Sequence, residues 1–307
     1  MTPKSPEAPP VFLIGAPRSG TSLVYKALCL HPQAAWISNW VRRFPRWPSL
    51  AAMSRITSLF PNVRQRVWFG SDSNAYVYGK DRMLIERLVP MPVEGEPVFA
   101  RCGIGQGVES DAETEADDAE QARALRLAFT SIRRFGGGRI FVNKRIANNR
   151  RIPFLLQAFP DARFIEIVRD GRAVAYSLSR VDWWPDSFVW WYGGTPRQWA
   201  GVGRDPWELC AREWVEQARA IERGKMDVPA DRVLQVKYES LLDSPVDGLR
   251  RMAGFGGLEH DPGWERHLRE LEYANRNDTW RRRLDPSDAA TIEGVQREML
   301  VKYGYVL

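Results

Sequence analysis

Metal and disulfide chemistry are disfavoured by scarcity. The chain of 307 residues has three cysteines and three histidines. Cys29, Cys102 and Cys210 lack metal-ligand spacing, and His31, His260 and His267 make no convincing zinc set. The odd cysteine count fits a reducing, cytoplasmic setting. No stretch approaches ~20 uninterrupted apolar residues, so no transmembrane helix is expected. Met1 to Pro10 is proline-rich and polar and lacks the apolar centre of a signal peptide, so residues 1–10 are expected to be a short disordered lead. Repeats and long linkers are also missing, and residues 11–307 are expected to form one domain. Apolar residues make up 44% and charged residues 27%, an ordinary globular balance. A net charge of +6 and a pI near 9.3 suit a polyanionic ligand or nucleic acid. The arginines are spread along the chain, with only short clusters such as Arg281-Arg282-Arg283, so a nucleic-acid partner is not expected.

One further absence is a single lysine. Val11–Ile14 is an apolar run that breaks into Gly15-Ala16-Pro17-Arg18-Ser19-Gly20-Thr21-Ser22, followed by an amphipathic segment from Leu23 to Leu30. A buried strand, a tight turn and a helix start make a backbone cradle for phosphate. The Gly15-x-x-x-x-Gly20 spacing matches a Walker-type loop, but Thr21 stands where triphosphate binding demands lysine. The loop instead offers Arg18, a planar fork for an oxyanion, with the hydroxyls of Ser19, Thr21 and Ser22 and the backbone around Gly20.

Further strand signals fall at Arg139–Val142, Arg163–Val168 and Arg232–Val236. Helical patterns cover Asp111–Phe135, Asn148–Phe159, Gly171–Arg180, Pro206–Arg223, Ser244–Phe255 and Ser287–Tyr303. Strands alternating with helices predict an α/β fold, a parallel sheet with helices on both faces. The strand through Val168 ends at Arg169, Asp170 is placed to cap the next helix, and Ser177 lies about two turns along it. A strand-end arginine and a helix serine so spaced are suited to grip one dianion. Thirteen tryptophans crowd into Trp36–Trp47 and Trp183–Trp214. Core packing and an aromatic-lined acceptor cleft both account for them. The irregular, proline-punctuated stretch 38–107 reads as an insertion that shapes a substrate site.

Arg18-Ser19-Gly20-Thr21 combined with Arg169 and Ser177 resembles the 5′-phosphosulfate loop and 3′-phosphate site of sulfotransferases that use 3′-phosphoadenosine 5′-phosphosulfate (PAPS). The Arg-Ser-Gly-Thr form looks like the tyrosylprotein, glycosaminoglycan and bacterial branch. Val142-Asn143-Lys144-Arg145 with Phe159-Pro160-Asp161-Ala162-Arg163-Phe164 is similar to that branch's strand–helix–strand. Val236-Lys237-Tyr238-Glu239-Ser240-Leu241-Leu242 looks like the segment whose tyrosine flanks the adenine, and Lys302-Tyr303-Gly304-Tyr305 resembles the C-terminal helix ending. The resemblance covers roughly residues 11–35, 139–180 and 232–307. It implies a P-loop-like sulfotransferase fold, with acceptor-site insertions near 36–110 and 181–210. It also implies direct in-line transfer of a sulfonate to a hydroxyl or amine of a small-molecule, lipid or carbohydrate acceptor, without metal. Arg18, Ser19, Gly20, Thr21, Ser22, Arg169, Ser177 and Tyr238 would then hold PAPS, and Arg18 and Lys144 would stabilise charge on the leaving phosphate.

The branch's glutamate shortly after His-Pro has no counterpart here, because His31-Pro32 leads into Trp36-Ile37-Ser38-Asn39-Trp40. His31 itself reads as a structural residue. Glu94 is the favoured base, with Glu96 and Asp182 as alternatives. Arg180 and Arg281 are further candidates for cofactor contact, though the lysine expected before Trp280 is Thr279. The competing readings are a magnesium-dependent P-loop kinase, a nucleic-acid-binding module, and a sulfotransferase-like protein that binds adenosine 3′,5′-bisphosphate without turnover.

Overall fold

The computed structural model describes residues 8–70, 88–105 and 115–306. Five parallel strands, β1 (Val11–Ile14), β2 (Ala34–Ala35), β3 (Ile140–Lys144), β4 (Arg163–Val168) and β5 (Val233–Lys237), form one sheet in the order β2-β3-β1-β4-β5. β1 is central and all four of its side chains are buried, which is why its sequence is apolar at every position. Alternation divides the core across the sheet. Val11, Leu13, Ile165 and Ile167 join one apolar cluster, under the helices Thr21–Cys29, Pro245–Gly256 and Pro262–Arg269. Phe12, Ile14, Phe141 and Phe164 join the other, under Glu115–Gly136, Ile152–Ala158 and the end of Pro206–Lys225. Helices therefore cover both faces.

The chain runs from β1 toward the β2 edge, then from β3 back across β1 to β4 and on to β5. Connections diverge between β1 and β4, leaving a crevice at their carboxyl ends, where open α/β sheets bind ligands. The loops after these two strands carry Arg18 and Arg169.

Several boundaries differ from the sequence reading. The predicted strand Arg139–Val142 lies at Ile140–Lys144, because Asn143 and Lys144 remain in the sheet with polar partners for their side chains. The predicted strand Arg232–Val236 moves to Val233–Lys237, since Ala230–Arg232 closes a 3₁₀ turn. Asn148–Phe159 is two pieces, a 3₁₀ turn at Ile146–Arg150 and a helix at Ile152–Ala158, split where Pro153 removes a backbone donor. The stretch 38–107 is less irregular than expected. It holds the helices Asn39–Arg43, Ala52–Thr57, Pro61–Phe69 and Glu96–Arg101, and Pro61 and Pro97 sit in first turns, where proline is tolerated. Part of that stretch, part of the predicted lead and the first residues of the predicted helix Asp111–Phe135 lie outside the described residues. Trp36, Trp184, Trp199 and Trp214 are core residues, which assigns them to packing, while Trp47 and Trp183 are exposed.

Candidate functional site

The loop after β1 is shaped by three left-handed or glycine-only conformations. Gly15 has φ +149, and a Cβ there would lie 2.5 Å from the Ile167 carbonyl oxygen of β4. Gly20 has φ +87, and its Cβ would lie 2.4 Å from the Tyr238 ring. No substitution fits either place without a shift. Arg18, at φ 69, is the sole non-glycine residue with positive φ among the described residues. That turn points its carbonyl toward β4, where Arg169 Nη1 donates to it at 2.8 Å.

The two arginines share their neighbours. Arg18 Nε donates to Ser177 Oγ at 3.0 Å, which joins the loop to the helix Gly171–Ser179. Arg169 Nε donates to Asn277 Oδ1 at 3.0 Å, and its guanidinium lies 4.8 Å from the centre of the Tyr238 ring. Tyr238 opens the helix Tyr238–Asp243 directly after β5. Among the described residues neither Arg18 nor Arg169 has a carboxylate within ion-pair distance. Burial lowers the pKa of Arg18, and the neighbouring Arg169 and Arg276 charges push it the same way. Burial likewise lowers Arg169. The Glu239 and Asp170 charges oppose that shift without reaching ion-pair distance, so the two guanidinium groups meet at a helix start partly dehydrated, with their direct partners neutral.

The loop hydroxyls divide. Ser19 and Thr21 are buried, and Ser19 faces a small internal space bounded by Glu166, Trp214 and Tyr303, where its Oγ has no partner. Ser22 is half-buried. The structure thus brings Arg18, Gly20, Arg169, Ser177 and Tyr238 together and turns the Ser19 and Thr21 side chains inward. Asp170 caps the helix Gly171–Ser179, as its position predicted, by accepting from Arg172 N at 2.9 Å.

On the β3 side, Lys144 pairs in register with Leu13 of β1 and forms an ion pair with Glu94. The other Glu94 oxygen accepts from Ile146 N at 3.2 Å. Glu94 reaches this place because its segment is bridged to the chain leaving β2, with Ser38 opposite Pro92 and Val93 N donating to the Ile37 carbonyl at 3.0 Å. Glu96 is committed elsewhere, accepting from Arg145 Nε and Nη2 at 2.6 Å each. Asp182, Arg180 and Arg281 are exposed, and Arg281 lies over Trp280. His31 is buried and held by the Glu259 carbonyl at 2.8 Å and by Gln33 N at 3.2 Å.

Two polar residues beside the loop escaped sequence reasoning. Asn149 clamps Gly15 from both sides, accepting from its N–H at 3.1 Å and donating to its carbonyl at 3.0 Å. Its amide continues to Gln217, then to Glu213, which also accepts from Trp191 Nε1 at 2.7 Å. Asn277 is the second. The one available signal was the pair Asn148-Asn149 a few residues past a buried strand, where polar side chains need partners.

Residues 9–262 match the sequence profile of the Sulfotransferase family, and the chain belongs to that family. The fold is the α/β sulfotransferase fold. Sulfotransferase STF9 from Mycobacterium avium superposes with a TM-score of 0.62 at 17% identity, covering 99% of this chain and 79% of that one. The sulfotransferase domain of the Synechococcus PCC 7002 olefin synthase superposes with a TM-score of 0.52 at 19% identity, covering 97% and 95%. A Drosophila melanogaster protein-tyrosine sulfotransferase is 24% identical over 153 residues, 49% of this chain. The match spans 27% of that protein's length. Among the described residues no helix is long and apolar enough to cross a membrane.

Proposed function

We propose that this sulfotransferase moves a sulfonate from PAPS to a hydroxyl or amine of a small-molecule, lipid or carbohydrate acceptor. The observation that carries the reading is the convergence of Arg18 and Arg169 from neighbouring strand ends, with no carboxylate against either among the described residues. Two cationic forks suit a nucleotide that carries separate 5′ and 3′ anionic groups. Arg18 and the N–H groups at the start of the helix Thr21–Cys29 would hold the 5′ phosphosulfate, and Arg169 with Ser177 the 3′-phosphate. Tyr238, packed between Gly20 and the Arg169 guanidinium, would flank the adenine.

When bound, the donor supplies the activated sulfonate. Arg18 and Lys144 would stabilise charge that develops on the leaving phosphate. Glu94 would take the acceptor proton, and its pairing with Lys144 keeps base and cation side by side at the end of β3. Of the two expected acceptor-site insertions, the stretch around Glu94 and the segment 181–210 would wall the acceptor, while residues 54–64 line the far end of the sheet.

Calorimetry tests the donor assignment. Adenosine 3′,5′-bisphosphate is expected to bind far more tightly than ATP, with no dependence on magnesium. Equal affinity for ATP, or magnesium-dependent binding, overturns the assignment. Transfer of label from PAPS to an acceptor separates an enzyme from a bisphosphate-binding protein without turnover.

A further inference from the structure

At the end of the sheet opposite the donor loops, a cavity of about 150 Å³ lies where β2 and β3 begin. Its walls include Trp36, Ser54, Arg55, Ser58, Arg64 and Gly137. Arg64 is only 4% exposed, and its guanidinium lies 5.6 Å from the Trp36 ring centre and 5.4 Å from that of Trp68. Nε donates to Thr57 Oγ1 at 3.1 Å, and Nη2 donates to the Ser54 carbonyl. All of these partners are neutral. Among the described residues no carboxylate lies within ion-pair distance of Arg64, and none lines the cavity. Ser54 is itself buried, at 6% exposure, and its hydroxyl has no hydrogen-bond partner. Arg55, exposed at the rim, lies across Gly137, where a Cβ would come within 3.0 Å of Arg55 Cδ.

Buried cations are ordinarily paired with an anion, because indole faces and neutral acceptors only partly replace the water they lose. Burial accordingly lowers the Arg64 pKa to about 10. A buried cation, an unused hydroxyl and a second arginine around one void, with no acid among the lining residues, are the chemistry of an anion pocket. A void of this size has room for a phosphate or a three-carbon dicarboxylate, well short of a nucleotide.

We propose that this cavity is a second ligand site, in which Arg64 and Ser54, with Arg55 at the rim, bind one small oxyanion. The test uses the full chain carrying Arg18→Ala and Arg169→Ala, so that anion binding at the donor loops does not contribute. The result is then independent of the donor assignment. Inorganic phosphate, and separately malonate, are titrated calorimetrically at constant ionic strength, with melting temperature recorded in parallel. At least one anion is expected to bind one-to-one and to raise the melting temperature with concentration. Arg64→Gln is expected to weaken binding by ~10–100-fold, as loss of a charged contact does, and Ser54→Ala by ~2–10-fold. Should Arg64→Gln fail to fold, Arg55→Gln, at an exposed position, is expected to weaken binding as well. Tighter phosphate or tighter malonate binding supports the site and identifies a phosphoryl or a carboxylate ligand. Absence of one-to-one binding by both anions overturns the proposal. So does binding that Ser54→Ala and Arg55→Gln leave unchanged.

Discussion

Arg169 performs several tasks with one guanidinium, and they make its substitution informative. It donates to the Arg18 carbonyl, donates to Asn277 and covers the Tyr238 ring. Arg169→Ala is expected to weaken adenosine 3′,5′-bisphosphate by ~10–100-fold, since a charged contact contributes roughly 1.5–3 kcal/mol. Binding of 5′-AMP, which has no 3′-phosphate, should change only a few-fold, and calorimetry with both ligands distinguishes the cases. Equal losses would make Arg169 a support for the loop and not a 3′-phosphate ligand. Arg169→Lys keeps the charge but not the planar fork, so it should restore only part of the affinity. Glu94 admits a different split. Glu94→Gln keeps an oxygen for Ile146 N and removes the base, so transfer of label from PAPS should fall ~10²–10⁴-fold with donor affinity nearly unchanged. Unchanged turnover would place the base elsewhere.

Among the elements, legibility followed burial. β1 and β4 were readable because strands covered on both faces are apolar, and the cap at Asp170 was readable because a single side chain carries it. β2 was not, since two alanines carry no pattern, and β3 was cut short because hydropathy treats Asn143 and Lys144 as loop. The arginines of the candidate site were visible as types in a spacing. Their convergence depends on strand order, which no local window contains, and the Asn149 clamp depends on a partner 134 positions away. The helix Gly171–Ser179 shows what such contacts are worth. Asp170 caps it and also grips buried Arg172 through both oxygens at 3.0 Å. Removing a cap costs about 1 kcal/mol, and stripping a buried charge of its partner about 3–5 kcal/mol. Asp170→Ala is therefore expected to lower unfolding stability by ~3–5 kcal/mol, near the lower end because Glu293 still meets Arg172 at 3.2 Å. Asp170→Asn, which can still cap, should recover about 1 kcal/mol of that in denaturant titrations. A loss below about 1 kcal/mol for Asp170→Ala would mean that Arg172 is solvated once freed.

Over the whole molecule, buried and ion-paired carboxyl groups give stability opposite pH slopes in adjoining ranges. Glu213 is buried in the helix Pro206–Lys225, and burial raises its pKa against the opposing effect of the Gln217 and Trp191 hydrogen bonds. The folded protein thus holds this proton more tightly than the unfolded chain does. As pH rises from the ordinary carboxyl value of 4.5 toward the raised one, the unfolded chain ionises first and stability falls. Glu166, raised by burial in β4, acts in the same direction. Glu265 behaves in the opposite sense. Arg250 Nε and Nη2 lie 2.5 and 2.9 Å from its two oxygens, and this pairing holds its pKa at about 2. Its contribution is present above the ordinary value of 4.5 and is lost as pH falls toward 2. Unfolding free energy measured in urea from acid to neutral pH is thus expected to rise through the Glu265 range and to decline beyond it. Glu265→Gln should flatten the acid limb and leave the other intact. Glu213→Gln has one oxygen fewer for Gln217 and Trp191, so it lowers stability overall, but it should flatten the decline above 4.5. The slope and not the absolute stability is the readout, because only titration of the group itself changes the slope. A Glu213→Gln profile parallel to the parent's would show that Glu213 ionises as readily in the folded protein as in the unfolded chain.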